Sequence, residues 1–269
     1  MNIKMFKDRL IGSILVLSFT IIFVVIGGEL LFFGLLVISL IGMMELYRTL
    51  KLNKTSFGIL GYVACITYYL FIYFNVNNHL FLLIIFLLLI MFAYVITFPT
   101  YNIEQVSFVF VGLFYVAVML SFIYRVRILD GGAYLVWLIF ISAWGSDTSA
   151  YCVGCLVGKH KFLPKLSPKK TLEGCIGGIV GAALVGFSFG LIFENEFTHL
   201  SNPKVLFAII SGCASVISQL GDLVASAIKR NHDIKDYGKL IPGHGGVLDR
   251  FDSIIFVAPV VYYFIIYVR

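Results

Sequence analysis

The sequence contains 269 residues, of which 60% are hydrophobic and 13% are charged, and its formal net charge is +6. Ordinary soluble domains use only about 45–50% apolar residues, so a mean hydropathy of +1.00 excludes a soluble globular domain. Apolar runs recur from end to end, with no short leader followed by a soluble body, which predicts an all-α polytopic membrane protein. The five cysteines lie inside or beside apolar segments, and this distribution does not indicate a secreted disulfide framework.

Nine apolar stretches are long enough to cross a bilayer, because a hydrocarbon core of roughly 30 Å requires about 20 residues of α-helix. Short polar segments with turn character separate these stretches. We therefore predict transmembrane helices near residues 10–27, 30–47, 57–74, 79–98, 106–124, 133–153, 175–193, 205–228 and 251–268.

Lysine and arginine residues are distributed unequally between the two sides of this layout. Sixteen of the twenty fall on the side that carries the N-terminus, and the other side receives only Arg125, Arg127, Lys204 and Arg269. Because basic residues are enriched in cytoplasmic loops, the asymmetry predicts a cytoplasmic N-terminus. The same asymmetry is an alternative explanation for any single basic loop residue, which would then serve only to orient the helices.

Two polar loops on the cytoplasmic side combine lysine with glycine, serine or histidine, and the first follows the sixth predicted span. In it, Lys169 and Lys170 stand between the hydroxyls of Ser167 and Thr171. Ammonium groups and small hydroxyls suit a polyphosphate, whose charge is spread over many acceptor oxygens. The loop matches no P-loop, so anionic lipid headgroups are an alternative ligand.

The seventh and eighth spans each carry a helical pattern. In the seventh span, GxxxG spacing predicts close helix packing, and it is formed by Gly174 with Gly178 and by Gly177 with Gly181.

The eighth span carries a polar stripe, which must face protein or water rather than lipid. An aspartate at membrane depth costs about 2.5–3.5 kcal/mol on insertion scales, so the aspartate of this stripe is a functional candidate, with a salt bridge to the two basic residues as the alternative. The stripe consists of Ser215, Gln219, Asp222, Ser226, Lys229 and Arg230.

Three further aspartates complete the acidic set. Asp249 and Asp252 open the ninth span, and Asp147 lies near the end of the sixth. The eighth and ninth spans are antiparallel and joined by a glycine-rich loop, so Asp222 and Asp249 can converge, with Asp147 at a similar depth. Carboxylates beside phosphate-binding loops are the arrangement expected for Mg²⁺ with a nucleotide. The alternative for Asp249 and Asp252 is that they only complement a helix N-terminus.

The second polar loop carries the most specific pattern in the chain. It contains Ser226-Ala-Ile-Lys-Arg230, Lys235-Asp236, Gly238, Pro242, His244-Gly-Gly246 and Asp249-Arg-Phe-Asp252, and the two upstream blocks are Ser167-Pro-Lys-Lys-Thr171 and Gln219-Leu-Gly-Asp222. Together these residues resemble the signature of the phosphatidate cytidylyltransferase family, also called CDP-diacylglycerol synthase. The resemblance covers residues 140–255.

The resemblance implies transfer of a cytidylyl group from CTP to phosphatidic acid, with release of pyrophosphate. The expected cofactor is Mg²⁺, and a second cation is left open. Together with the residue chemistry, the resemblance assigns catalytic roles to Asp222, Asp249, Lys229, Arg230 and His244. The expected substrate contacts are Ser167, Lys169, Lys170, Thr171, Ser226, Gly245, Gly246 and Arg250, and the expected metal ligands are Asp222, Asp249 and Asp147.

The same interpretation divides the chain into residues 1–130, a transmembrane scaffold with lipid access, and residues 131–269, a catalytic transmembrane domain. The expected partners are CTP, phosphatidic acid and the bilayer, without nucleic acid, and a homodimer is left open. We expect a bacterial inner membrane, with the active site facing the cytoplasm.

Two other functions stay in consideration. A CTP-dependent lipid kinase would use the same nucleotide site but transfer the γ-phosphoryl group and release CDP, although the complete signature argues against it. A secondary transporter would account for intramembrane aspartates, but transporters usually consist of repeated halves, and no internal repeat is visible here.

Overall fold

The computed structural model describes residues 3–76, 78–198, 200 and 202–268. Of the described residues, 79% are helical, which confirms the all-α fold class. The α-helices are α1 Ile3–Ile26, α2 Gly28–Thr49, α3 Ser56–Tyr73, α4 His79–Thr97, α5 Ile103–Gly112, α6 Met119–Arg127, α7 Gly132–Leu135, α8 Trp137–Phe140, α9 Ser146–Val157, α10 Leu172–Ile192, α11 Pro203–Asn231 and α12 Leu248–Val268.

The described residues also contain three helical segments of other types and one small sheet. Two π-helical segments occupy Leu113–Val118 and Ile141–Gly145, and one 3-10 turn occupies Glu194–Phe197. Strands β1, Lys161–Leu163, and β2, Ser167–Thr171, pair antiparallel, with Leu163 opposite Ser167. The first polar loop of the sequence analysis therefore contains a β-hairpin.

Seven helices of the described chain are long and apolar enough to cross a membrane. They correspond to the predicted second to fifth and seventh to ninth spans, and α5 to α6 form one of them, Ile103–Arg127. The first predicted span corresponds to a shorter apolar stretch, Leu10–Ile26. A polytopic membrane protein is thus confirmed, and the cytoplasmic location of the N-terminus stays a prediction.

The sixth predicted span, 133–153, is wrong as a single regular helix. The backbone there runs through α7, α8, the π-helical segment Ile141–Gly145 and α9. Ser142 donates a hydrogen bond from its hydroxyl to the carbonyl of Leu138 (2.6 Å), within the preceding turn. Such back-bonding competes with the regular helical ladder and bends helices, which accounts for part of the irregularity. Hydropathy alone contains no signal for it.

Two compact units divide the chain, and each is assembled from separated segments. The first contains the described residues of Met1–Phe23, Glu29–Ser121 and Ile234–Arg250. The second contains those of Val24–Gly28, Phe122–Asp233 and Phe251–Arg269. The predicted functional division between residues 130 and 131 stays a prediction.

The first unit has a core in which buried tyrosines are hydrogen-bonded. The hydroxyl of Tyr47 donates to the carbonyl of Val109 (2.7 Å), and the hydroxyls of Tyr69 and Ser39 lie 2.8 Å apart. Burying a phenol among apolar groups is costly unless its hydroxyl has a partner, so these bonds fix the registers of α2, α3 and α5.

The second unit packs α9, α10 and α11 through small residues. A Cβ atom on Gly178 of α10 would lie 2.9 Å from the hydroxyl oxygen of Ser146, and one on Gly181 would collide with Ser149. Further along α10, a Cβ on Gly186 would lie 2.5 Å from the hydroxyl oxygen of Ser211 in α11. The close helix packing predicted from GxxxG spacing is confirmed.

Candidate active site

The β-hairpin is joined directly to α10, and this junction fixes two of the predicted site residues. Thr171 ends β2 and is the N-cap of α10, because its hydroxyl accepts a hydrogen bond from the amide of Gly174 (3.2 Å). Lys170 is therefore held one residue before the cap. Glu173 ties the other strand to the same helix start, since its carboxylate accepts from the amides of Lys159 (3.1 Å) and His160 (3.2 Å).

Lys170 and Asp222 form an ion pair between the hairpin and α11. The ammonium of Lys170 donates to Oδ2 of Asp222 (2.9 Å) and to the carbonyl of Gln219 (3.4 Å). The side chain of Lys170 is only 14% exposed and that of Asp222 38%, so the pair is partly withdrawn from solvent. The Gln219 amide in turn donates to the carbonyl of Cys175 on α10 (3.0 Å). The polar stripe of α11 thus faces protein, as its spacing predicts.

The partner of Asp222 comes from a distant part of the chain. The alternative predicted from the sequence is a local salt bridge to Lys229 or Arg230, about two turns further along the same helix. Those two residues and Ser226 lie on the last turns of α11, beyond Asp222. The contact with Lys170 joins positions 52 residues apart, which no helical pattern can indicate.

A cavity of about 440 Å³ in the second unit opens at this ion pair. It brings together carboxylates, ammonium groups and hydroxyls from α9, the hairpin and α11, and six of the predicted site residues are among them. Its charged and hydroxyl-bearing lining includes Asp147, Lys161, Ser167, Lys169, Lys170, Thr171 and Asp222. Such a lining suits a ligand that carries several phosphate groups.

The donor set of this cavity also fits Mg²⁺. Asp147 and Asp222 supply carboxylate oxygens, which are the hard ligands that Mg²⁺ prefers. In the part of the chain that the structure describes, no group of three or more His, Cys, Asp or Glu side chains is placed to hold a metal ion. Mg²⁺ usually takes only one or two carboxylates from the protein and completes its shell with water and phosphate oxygens, so two are sufficient.

Asp249 lies in the first unit and stabilises the glycine-rich loop before α12. Its Oδ2 atom accepts hydrogen bonds from the amides of Tyr237 (2.8 Å) and Gly246 (2.9 Å), and the residue is 5% exposed. Gly245 adopts a positive φ of 84°, a conformation that favours glycine and turns the loop toward the helix. A role of Asp249 as a metal ligand stays a prediction.

A second cavity, of about 630 Å³, is formed by this loop in the first unit. Its basic lining consists of Lys235, Lys239, His244 and Arg250. Gly245 also lines it, and the imidazole of His244 lies 3.2 Å from the hydroxyl of Ser13 on α1. Gly246 instead faces the carboxylate of Glu45. A Cβ atom on Gly246 would lie 2.5 Å from Oε2 of Glu45, so the carboxylate occupies the space that a side chain would need.

Glu45 is the residue that sequence reasoning missed. It lies near the C-terminal end of α2 and is only 2% exposed. The amides of Val247 and Leu248 donate to its two carboxylate oxygens, at 3.1 and 2.8 Å. An acidic residue in an apolar span was the available signal. Glu45 lies outside residues 140–255, which carry the resemblance to the family signature.

Comparison with known proteins gives one family and a set of bacterial relatives. The model of the "Cytidylyltransferase family" matches residues 7–268. A protein named phosphatidate cytidylyltransferase from Bacillus subtilis (strain 168) is 34% identical over 265 residues, which cover 96% of each chain. Relatives with the same name from Staphylococcus saprophyticus and Staphylococcus haemolyticus are 37% and 38% identical, and each covers 59% of this chain and 58% of its own length.

Replacing Thr171 tests whether its hydroxyl is primarily a helix cap. Thr171→Val keeps the shape but removes the acceptor for Gly174, and we expect a loss of about 1 kcal/mol in the free energy of unfolding. Thr171→Ser keeps the acceptor and should stay close to the original protein. The measurement is the midpoint of thermal unfolding in detergent, with the exposed Thr148→Val as control. Equal midpoints for Thr171→Val and Thr148→Val would contradict the capping role.

Proposed function

Because the chain belongs to the cytidylyltransferase family, we propose that it transfers the cytidylyl group of CTP to phosphatidate, giving CDP-diacylglycerol and pyrophosphate. One structural observation supports this proposal independently of the names of the relatives. The residues of the upstream motif blocks, separated by about fifty positions, line a single cavity in which the Lys170–Asp222 pair is central. A cavity with both carboxylates and lysines suits a metal-bound triphosphate.

The reaction needs no nucleophilic side chain. A phosphate oxygen of phosphatidate attacks the α-phosphorus of CTP, a new phosphorus–oxygen bond forms, and the bond from the α-phosphorus to the bridging oxygen of the leaving pyrophosphate breaks. Both reactants are anions, so the main barrier that the protein must lower is their mutual repulsion. Lys169 and Lys170 reduce it by placing positive charge beside the triphosphate. The charge of Lys170 is the less screened by solvent, because its side chain is only 14% exposed.

Mg²⁺ is the proposed cofactor, with Asp222 and Asp147 as its proposed ligands in the second unit, and Asp249 is a proposed metal ligand in the first unit. When bound, Mg²⁺ neutralises phosphate charge and orients the triphosphate. The ion pair with Lys170 holds the carboxylate of Asp222 beside the cavity. For Asp249, the two amides that donate to Oδ2 fix the carboxylate at the start of α12.

The glycine-rich loop and the end of α11 supply the remaining proposed contacts. His244 and Arg250 line the loop cavity, where they contact phosphate oxygens, and Gly245 allows close approach of the backbone. Lys229 and Arg230 neutralise the phosphate of the lipid, and Ser226 donates from its hydroxyl. A substrate contact of Gly246 stays a prediction, because the amide of this residue donates to Asp249 in the structure.

We also propose that the active site faces the cytoplasm of a bacterial inner membrane. CTP is a cytoplasmic metabolite, and the basic loops that carry the site lie on the predicted cytoplasmic side.

Hydroxyl groups of the hairpin, on Ser167 and Thr171, line the same cavity as the lysines.

The function is tested by supplying purified protein with phosphatidic acid and each of the four ribonucleoside triphosphates, with Mg²⁺ or with excess chelator. We expect CDP-diacylglycerol and an equal amount of pyrophosphate with CTP and Mg²⁺ only. Release of CDP without pyrophosphate would instead identify a CTP-dependent lipid kinase. Equal turnover in chelator would contradict the proposed Mg²⁺ requirement while leaving the transfer reaction intact.

Asp249→Asn separates a catalytic role from a structural one. Asparagine is nearly isosteric and keeps a carbonyl oxygen that can accept from Tyr237 and Gly246, but it removes the negative charge. If Asp249 binds the metal, the variant should remain monodisperse and lose about 10²-fold or more in kcat, the loss typical of one deleted electrostatic element. If Asp249 only stabilises the loop, the rate should stay near that of the original protein. Thermal unfolding midpoints of both proteins provide the folding control.

A further inference from the structure

Glu45 is the buried acidic group that the proposed reaction leaves without a role. It belongs to the first unit and lies on α2, outside the region that resembles the family signature. At 2% exposure, it has no access to CTP or to a lipid phosphate. Burying a carboxylate is costly unless it is paired or hydrogen-bonded, so its two amide donors must compensate a substantial desolvation penalty.

The amides that bind Glu45 belong to a continuous series. Gly246, Val247 and Leu248 are consecutive, and all three amides donate to carboxylate oxygens: the first to Asp249 and the other two to Glu45. Gly246 and Val247 immediately precede α12, and Leu248 is its first residue. Amides at a helix N-terminus attract anions because they lack partners within the helix. Two carboxylates of the protein therefore supply the hydrogen-bond acceptors for these three amides.

The hydrogen bonds to Glu45 limit how a phosphate group can bind at this loop. Amides at a helix N-terminus are a common phosphate site in nucleotide-binding proteins. Here the amides of Val247 and Leu248 are already occupied by Glu45, from within the first unit. Phosphate groups at the loop cavity must accordingly be held by side chains such as Arg250 and His244.

Two glycines of the signature loop make room for Glu45. A Cβ atom on Gly246 would lie 2.5 Å from Oε2 and 2.6 Å from Cδ of Glu45, and one on Gly238 would collide with Oε1. Neither glycine has a positive φ, so backbone conformation does not explain them. Both glycines are explained by the close approach of the Glu45 carboxylate to the loop backbone, which leaves no room for a side chain.

We propose that Glu45 is a positioning residue for cytidylyl transfer. Its carboxylate fixes the backbone of residues 246–248, and the next two residues, Asp249 and Arg250, are thereby held in place. The inference rests on the proposed function, because only that function gives Asp249 and Arg250 a chemical task. It assigns to α2 a role in the site that the motif residues do not reveal.

The first test uses Glu45→Gln, which keeps the shape but replaces one acceptor oxygen with an NH₂ group facing an amide donor. We expect faster hydrogen–deuterium exchange in peptides covering 237–250, unchanged exchange in α10 and α11, and a loss of at least about tenfold in kcat, with the thermal midpoint retained within a few degrees. Glu29→Gln, the same substitution at an exposed position of α2, is the control and should change neither. Full kcat with unchanged loop exchange in Glu45→Gln would overturn the proposal.

The second test is a double-variant cycle with Gly246→Ala. The added methyl group collides with the carboxylate of Glu45, and Glu45→Asp withdraws that carboxylate by one methylene. Glu45→Asp alone should also lose activity, because it withdraws the carboxylate from the amides of Val247 and Leu248. If Glu45 is the reason for the glycine, the loss of kcat/KM in the double variant should be at least about fivefold smaller than the product of the two single losses. If Gly246 is needed for close approach of a ligand, the losses should multiply, and this outcome would overturn the proposal.

The wild-type protein is assayed in parallel. An absence of wild-type CDP-diacylglycerol would reject the proposed function, whereas normal wild-type turnover with unaffected Glu45 variants would reject the role of Glu45 alone. The exchange measurement needs no turnover, so it tests the attachment of the loop to Glu45 in either case.

Discussion

A carboxylate inside an apolar helix bundle must obtain a partner from the protein, and this requirement organises both units. In the second unit, Lys170 reaches from the hairpin to Asp222 on α11. In the first unit, Glu45 and Asp249 are satisfied by backbone amides of the loop and the start of α12. The contacts of Lys170 with Asp222 and of Glu45 with the loop join segments that are distant in sequence, whereas those of Asp249 are local. All of them fix the backbone that carries the signature residues.

The two kinds of partner have different chemical consequences. An ammonium–carboxylate pair at a cavity leaves a charged, adaptable surface, which is suitable for a metal ion and a triphosphate. Carboxylates bound by consecutive amides instead give a rigid loop and occupy a helix N-terminus that would otherwise attract phosphate. Small residues permit both arrangements: the glycines of α10 allow close contact with α9 and α11, and Gly238 and Gly246 admit Glu45.

Local patterns predicted what depends on local physics. Hydropathy gave the long helices, the spacing from Ser215 to Ser226 gave the protein-facing stripe of α11, and GxxxG spacing gave the packing of α10. The β-hairpin was not predicted, because lysine and proline dominate its residues and its anchor is the side chain of Glu173 beyond the second strand. The π-helical segment before α9 and the contact of Glu45 with Val247 depend on tertiary packing, which periodicity does not encode.

We propose above all that the hairpin cavity binds the triphosphate of CTP through Lys170. The most direct test is the equilibrium dissociation constant of a non-reactive α,β-methylene analogue of CTP, measured for Lys170→Ala and for Lys165→Ala. Lys165 lies in the exposed turn of the same hairpin and carries the same charge. A lost charge-assisted contact should weaken binding about tenfold or more for Lys170→Ala and less than about twofold for Lys165→Ala. Equal dissociation constants for the two variants would contradict the claim and reduce the hairpin lysines to determinants of membrane orientation.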